Sequence, residues 1–128
     1  MMIVRILGRL YIGDRNYSRD DLISLNIDYV INLSKTLTKL EDIHCPLVDG
    51  SNKTCRYEDI IGIIKTHIGL GERVLVHCDG GYSRSVFIAT LYLIRVGLSK
   101  NEAETLMRLN HTIGLMDISF KIYLDEHS

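Results

Sequence analysis

Cys78 and Arg84 are separated by five residues, Asp79-Gly80-Gly81-Tyr82-Ser83, and preceded by the apolar run Val74-Leu75-Val76. The run reads as a strand, and Val86 to Val96 returns to apolar residues at helical spacing. The spacing predicts a cysteine at the end of a strand, facing the N-terminus of a helix. Backbone N–H groups at such a turn point inward, and the helix dipole favours negative charge there. Cysteine is nucleophilic as the thiolate, which a helix N-terminus and a nearby cation favour. Five intervening residues suffice for one loop around a tetrahedral oxyanion, with the sulfur below it and the guanidinium at its side. The stretch reads as a phosphate-binding loop that carries its own nucleophile.

Each residue type then has a place in one reaction. Cys78 would attack phosphorus and form a covalent phosphocysteine. Arg84 would grip two non-bridging oxygens in a fork that lysine cannot reproduce. Backbone N–H groups from Asp79, Gly80, Gly81, Tyr82, Ser83 and Arg84 would hold the third oxygen, and the two glycines tolerate the angles of such a nest. Ser85 can hydrogen-bond Cys78 and stabilise the departing thiolate; its plainer reading is a polar residue in the first turn of a helix. His77 orients the loop rather than moving protons, and Tyr82 lines the rim. The leaving oxygen needs a proton, and Asp49, which opens a Gly-containing loop after a predicted strand, is the candidate general acid. Asp before Gly is also an ordinary turn signal. Asp42 and Asp59 fit less well, because they fall in a predicted strand and a predicted helix.

The elements that must position these residues alternate. Strands are expected at Met2 to Leu7, Arg9 to Asp14, Ile27 to Leu33, Asp42 to Val48 and Arg73 to Val76. Helices are expected at Asn16 to Asn26 with a Ser18 cap, at Tyr57 to Leu70, and at Arg84 to Val96 ended by Gly97. Ser99 with Glu102 has capping-box spacing for a helix to Leu109, and Met116 to Asp125 would close the chain as a short helix. This order predicts an α/β fold with a central, mostly parallel, twisted sheet flanked by helices on both faces. In such sheets the ligand site lies beyond the carboxyl ends of the strands, where both Cys78 and Asp49 would emerge.

Length and charge narrow the function classes. The 128 residues fit one domain spanning 1–128. Fifteen basic against sixteen acidic residues lack the basic excess of a dedicated nucleic-acid binder, but leave room for phosphorylated substrates. No apolar run approaches the ~20 residues of a membrane span. Cys45, Cys55 and Cys78 are an odd number without framework spacing, which fits a reducing intracellular, cytoplasmic setting.

His77-Cys78-x-x-Gly81-x-x-Arg84-Ser85 resembles the signature of the cysteine-dependent protein phosphatases, in particular the dual-specificity branch. Leu10-Tyr11-Ile12-Gly13-Asp14, Tyr29-Val30-Ile31-Asn32-Leu33 and Val74-Leu75-Val76 are similar to the same branch, so the likeness runs from Arg9 to Leu109. The resemblance implies a protein tyrosine phosphatase-like fold and hydrolysis of phosphorylated proteins without metal or other cofactor. It implies Cys78 as nucleophile, Arg84 as phosphate ligand, Ser85 as an aid to phosphoenzyme hydrolysis and Asp49 as general acid. Members often carry an Arg-Pro and a later Pro-Asn-x-x-Phe stretch, whereas Asn110 to Phe120 contains no proline. Rival readings are an RNA 5′-triphosphatase and a non-catalytic phosphate-binding module. Phosphoinositide phosphatases place lysines in the loop, and this one has none. Sulfur transferases of the rhodanese type lack this arginine spacing. The short segment before Asp28 predicts few walls and a shallow site, open to phosphotyrosine and also to phosphoserine and phosphothreonine.

Overall fold

The computed structural model describes residues 3–47, 54–79, 83–110 and 118–127. Ten elements follow in chain order: β1 (Ile3–Leu7), β2 (Leu10–Gly13), α1 (Arg19–Ser24), β3 (Tyr29–Asn32), β4 (Ile43–His44), α2 (Thr54–Gly69), β5 (Val74–His77), α3 (Ser83–Arg95), α4 (Lys100–Asn110) and α5 (Ile118–His127). The strands form one five-stranded sheet in the order β1-β2-β5-β3-β4. Only the β1–β2 hairpin is antiparallel; β2, β5, β3 and β4 run parallel to their neighbours. Gly8 turns that hairpin with φ +56°, a region that suits glycine.

The alternation of side chains along three strands divides the interior. Leu10, Ile12, Val74, Val76, Ile31 and Leu33 face one way, into a core shared with α2, α3, α4 and α5. Tyr11, Leu75 and Val30 face the other way, against Tyr17 and Leu22 of the α1 region. Both faces of the sheet are therefore covered, which is why its central strands read as nearly continuous apolar runs.

Local chemistry accounts for most of the boundaries. Ser18 caps α1 reciprocally with Asp21, and Asn16 N–H is already engaged by the Asp14 carboxylate, so the helix is shorter than Asn16 to Asn26. Asn26, with φ +54°, ends it. Of the strand expected over Asp42 to Val48, only Ile43–His44 forms among the described residues, and Val48 lies outside them. Pro46 cannot donate to a ladder, although Cys45 and Leu47 still donate to Asn32 and Leu33 carbonyls. α2 begins at Thr54, before the expected Tyr57. α3 ends in a Schellman motif, with Leu98 N–H on Leu93 carbonyl and Gly97 N–H on Ile94 carbonyl. Ser99 and Glu102 close the expected capping box on α4. Among the described residues, no helix is long and apolar enough to cross a membrane.

The final helix docks without the prolines common in the resembling family. Phe120 stacks on Phe87 of α3 at 4.3 Å between ring centroids, and Tyr57 of α2 meets Phe87 edge-on at 4.8 Å. Arg95 ties the rim, donating to both Glu58 oxygens and to the His127 carbonyl. Phe120→Ala should therefore cost about 3–5 kcal/mol in urea unfolding, as for other buried aromatics. Ile122→Ala, at a position 49% exposed, should stay within about 0.5 kcal/mol of the parent. Equal effects of the two would show that the aromatic cluster does not anchor α5.

Candidate active site

β2, β5 and β3 end level with one another: Gly13 and Asn32 both pair with His77. The residues that follow, Asp14-Arg15, Cys78-Asp79 and Leu33-Ser34, therefore emerge side by side at the carboxyl edge of the sheet. The site is assembled there, as the strand pattern predicts.

Cys78 is 1% exposed, and Ser85, in the first turn of α3, is fully buried. The sulfur lies 3.4 Å from Ser85 Oγ and 3.3 Å from the Asp79 carbonyl. One S–H cannot donate to both at once. As a thiolate the sulfur would instead accept from the Ser85 hydroxyl, because the hydroxyl proton can rotate toward it. Arg84, the second residue of α3, is 12% exposed in its side chain. Its Nη1 donates to Leu47 carbonyl at 3.1 Å and approaches Leu33 carbonyl at 3.5 Å; its Nη2 meets Asp79 Oδ2 at 3.1 Å. The guanidinium thus joins the loop after β3, the chain ahead of α2, and the loop that carries Cys78.

Asp49, Gly80, Gly81 and Tyr82 lie outside the described residues. Leu47, two residues before Asp49, is held against Arg84. Ser83, the last of the five intervening residues, begins α3. Cys45 is partly buried against the main core.

The sequence singled out one supporting residue, His77, and missed several others. His77 is fully buried, and among the described residues neither ring nitrogen makes a hydrogen bond of good geometry; its ring lies 4.6 Å from that of Tyr17. Burial pushes its pKa down to about 4, so the ring stays neutral. The residues 34–41 form a loop built on Asn32 and Glu41. Asn32 donates to Glu41 and to the Thr36 carbonyl, and accepts from the Ser34 N–H and hydroxyl. Burial would raise the Glu41 carboxyl, but hydrogen bonds from the Thr38 N–H, the Asn32 amide, its own backbone and the Thr38 hydroxyl outweigh it and hold it at about 2. Tyr17 hydroxyl pairs with Thr38 at 2.6 Å, which ties this loop to the wall behind His77. At the outer rim, Arg15 Nη1 contacts Thr36 Oγ1 and sits 3.1 Å from Asp79 Oδ1. A polar Asn closing an apolar strand beside the Cys78 strand was the available signal for Asn32; nothing local pointed to Arg15.

With this geometry in view, the comparisons with known proteins agree. The family model for the dual specificity phosphatase catalytic domain matches residues 10–127. The chain belongs to the dual specificity phosphatase family. It is 31% identical over 115 residues to the dual specificity protein phosphatase Mpk3 of Drosophila melanogaster, covering 80% of this chain and 28% of that protein. Human dual specificity protein phosphatase 9 is 32% identical over 117 residues, covering 82% and 30%. The chain thus spans less than a third of the length of these two relatives. The crystal structure of human DUSP28 superposes with a TM-score of 0.87 at 20% identity, covering 97% of this chain and 90% of that one. Tk-PTP in the active form gives 0.83 at 24% identity, covering 97% and 94%. The fold of a dual specificity phosphatase is therefore kept although the last helix lacks the family's prolines.

The neutral, buried His77 makes a prediction about acid stability. An unfolded histidine takes a proton below about 6.5, whereas the folded one stays neutral to about 4. Protons therefore favour the unfolded chain across that window, and stability is complete only above it. Urea unfolding should show a loss of a few kcal/mol between pH 6.5 and 4. Replacing the ring with His77→Gln should flatten that interval and leave the carboxylate-linked loss below about 4.5, to which Glu41 contributes. An unchanged slope in the variant would clear His77 of the effect.

Proposed function

We propose that this chain hydrolyses phosphate monoesters on proteins, phosphotyrosine and also phosphoserine and phosphothreonine, through a phosphocysteine on Cys78. The observation that carries the reading is the buried Cys78 sulfur beside Ser85, with the guanidinium of Arg84, six residues on, held by the Leu47 carbonyl. Membership of the dual specificity phosphatase family supports it.

The chemistry balances as two displacements. The Cys78 thiolate forms a bond to phosphorus as the ester P–O bond breaks, and the departing oxygen takes a proton from Asp49. Arg84 and the backbone N–H groups from Asp79 to Arg84, through Gly80, Gly81, Tyr82 and Ser83, hold the equatorial oxygens as charge spreads over them. Water then attacks phosphorus, Asp49 takes its proton, and the P–S bond breaks. The thiolate leaves against a hydrogen bond from Ser85. Phosphate is released and the thiolate is restored. His77, buried beside the Tyr17 ring, serves by packing beneath the loop and moves no proton. Each step uses only protein groups and water.

An RNA 5′-triphosphatase would use a related loop, and a non-catalytic module would bind phosphate without turnover. Neither is favoured by the family to which the chain belongs.

Cys78→Ser should abolish release of phosphate from a phosphotyrosine peptide while inorganic phosphate still binds. Turnover retained in that variant removes Cys78 as nucleophile. Negligible turnover in both proteins, with phosphopeptide binding intact, would make the chain a binding module instead. The same assay on singly and doubly phosphorylated peptides and a 5′-triphosphorylated RNA reads the substrate class, and strict tyrosine selectivity would sink the dual specificity.

The general acid is tested by leaving group. Asp49→Asn should slow an alkyl phosphate by roughly 10²–10⁴-fold. An aryl phosphate with a good leaving group, which needs little protonation, should slow far less. Equal slowing of both would place the acid elsewhere.

A further inference from the structure

Asp79 directly follows the cysteine and brings a carboxylate into a loop that must receive an anion. Its two oxygens are divided between two arginines. Oδ2 lies 3.1 Å from Arg84 Nη2, and Oδ1 lies 3.1 Å from Arg15 Nη1. The two arginines differ in setting. The Arg84 side chain is 12% exposed and fixed by Leu47 carbonyl; that of Arg15 is 35% exposed and stands at the rim against Thr36. Thr36 is itself held, because its carbonyl accepts from Asn32 and Ser34.

A phosphate gripped by Arg84 would come within a few ångströms of the Asp79 carboxylate, and two like charges at that distance repel. Without the anion, the carboxylate compensates the guanidinium. With it, the carboxylate is a rival for the same donor. The Asp79 side chain, 44% exposed, has an outward path, and Arg15 is already bonded at its outer oxygen.

We propose that Asp79 is an internal competitor for the phosphate ligand Arg84, and that Arg15 is the residue that retains Asp79 when the substrate anion enters. Together they set the affinity of the site for phosphate. Arg15 is thus a positioning residue acting through Asp79, not a second phosphate ligand. The inference rests on the reading of this loop as an oxyanion site.

A double-mutant cycle tests it, with the Kd for inorganic phosphate measured by titration calorimetry on the full chain. Asp79→Asn removes the charge with little change of shape and should tighten phosphate binding by roughly three- to thirtyfold. Arg15→Gln leaves Asp79 with Arg84 alone and should weaken phosphate severalfold. In the Asp79→Asn background the same Arg15→Gln change should alter Kd by less than about twofold, because no carboxylate remains to be retained. KM for an aryl phosphate should follow the same order. A second variant, Asp79→Ser, and the unfolding midpoint of each protein separate a charge effect from a loss of structure.

Unchanged or weaker binding in both Asp79 variants with midpoints preserved overturns the competitor. Equal weakening by Arg15→Gln in both backgrounds makes Arg15 a direct ligand and overturns its assigned part. If neither the parent nor any variant binds phosphate, the oxyanion reading falls, and this proposal falls with it.

Discussion

The arrangement depends on how one guanidinium is held. Arg84 is carried by α3, yet its hydrogen bonds go to a carbonyl ahead of α2 and to a carboxylate on the Cys78 loop. These segments are far apart in sequence and have no ladder joining them at this point. A planar group with five donors can satisfy both of them at once. An ammonium on a flexible stem could neutralise Asp79, but it could not fix Leu47 and present a fork at once. The cation thus ties together segments that no strand pairing joins.

Beneath it, the site relies on polar groups whose partners are mostly local. Glu41 accepts from Thr38 and from Asn32, and Asn32 in turn carries Thr36 and Ser34. This closes the 34–41 loop on itself, although a loop of that length would otherwise expose several backbone groups. His77 is the exception. It is buried, makes no hydrogen bond of good geometry among the described residues, and packs near the Tyr17 ring. A neutral imidazole costs less to bury than a charged one, and the depressed pKa is the form that cost takes. A fully apolar residue would avoid that cost.

Much of this was legible in the sequence. The sequence around Cys78 passes from a short continuous apolar run to apolar residues at helical spacing across one loop, and the structure keeps β5 and α3 to within one residue of that reading. The alternating order fixes parallel neighbours, and parallel neighbours fix the edge where the site forms. Less legible was what depends on side chains far apart in sequence. The expected strand after Asp42 shrank to two residues because pairing there is shared between the backbone and the Asp42 carboxylate, which accepts from Val30 N–H. Arg15 reads as one more charge in a turn, and only the alignment of β2 with β5 brings it to Asp79. The pairing of Cys78 with Ser85 was readable because seven residues around a helix start return to the same point. The pairing of Arg84 with Leu47 was not, because it spans a crossover.

The last helix is docked by aromatic packing. Without proline to stiffen the approach, α5 is held by ring contacts to α2 and α3 and by Arg95 at the rim. Those contacts fall on Phe87, three residues beyond Arg84 on the same helix. Packing α5 therefore restrains the helix that carries the guanidinium. Rings on one flank and parallel strands on the other leave α3 little freedom to tilt, and a tilt would carry Arg84 away from Leu47. Precision at the loop is thus set by apolar packing as much as by the polar contacts that touch it.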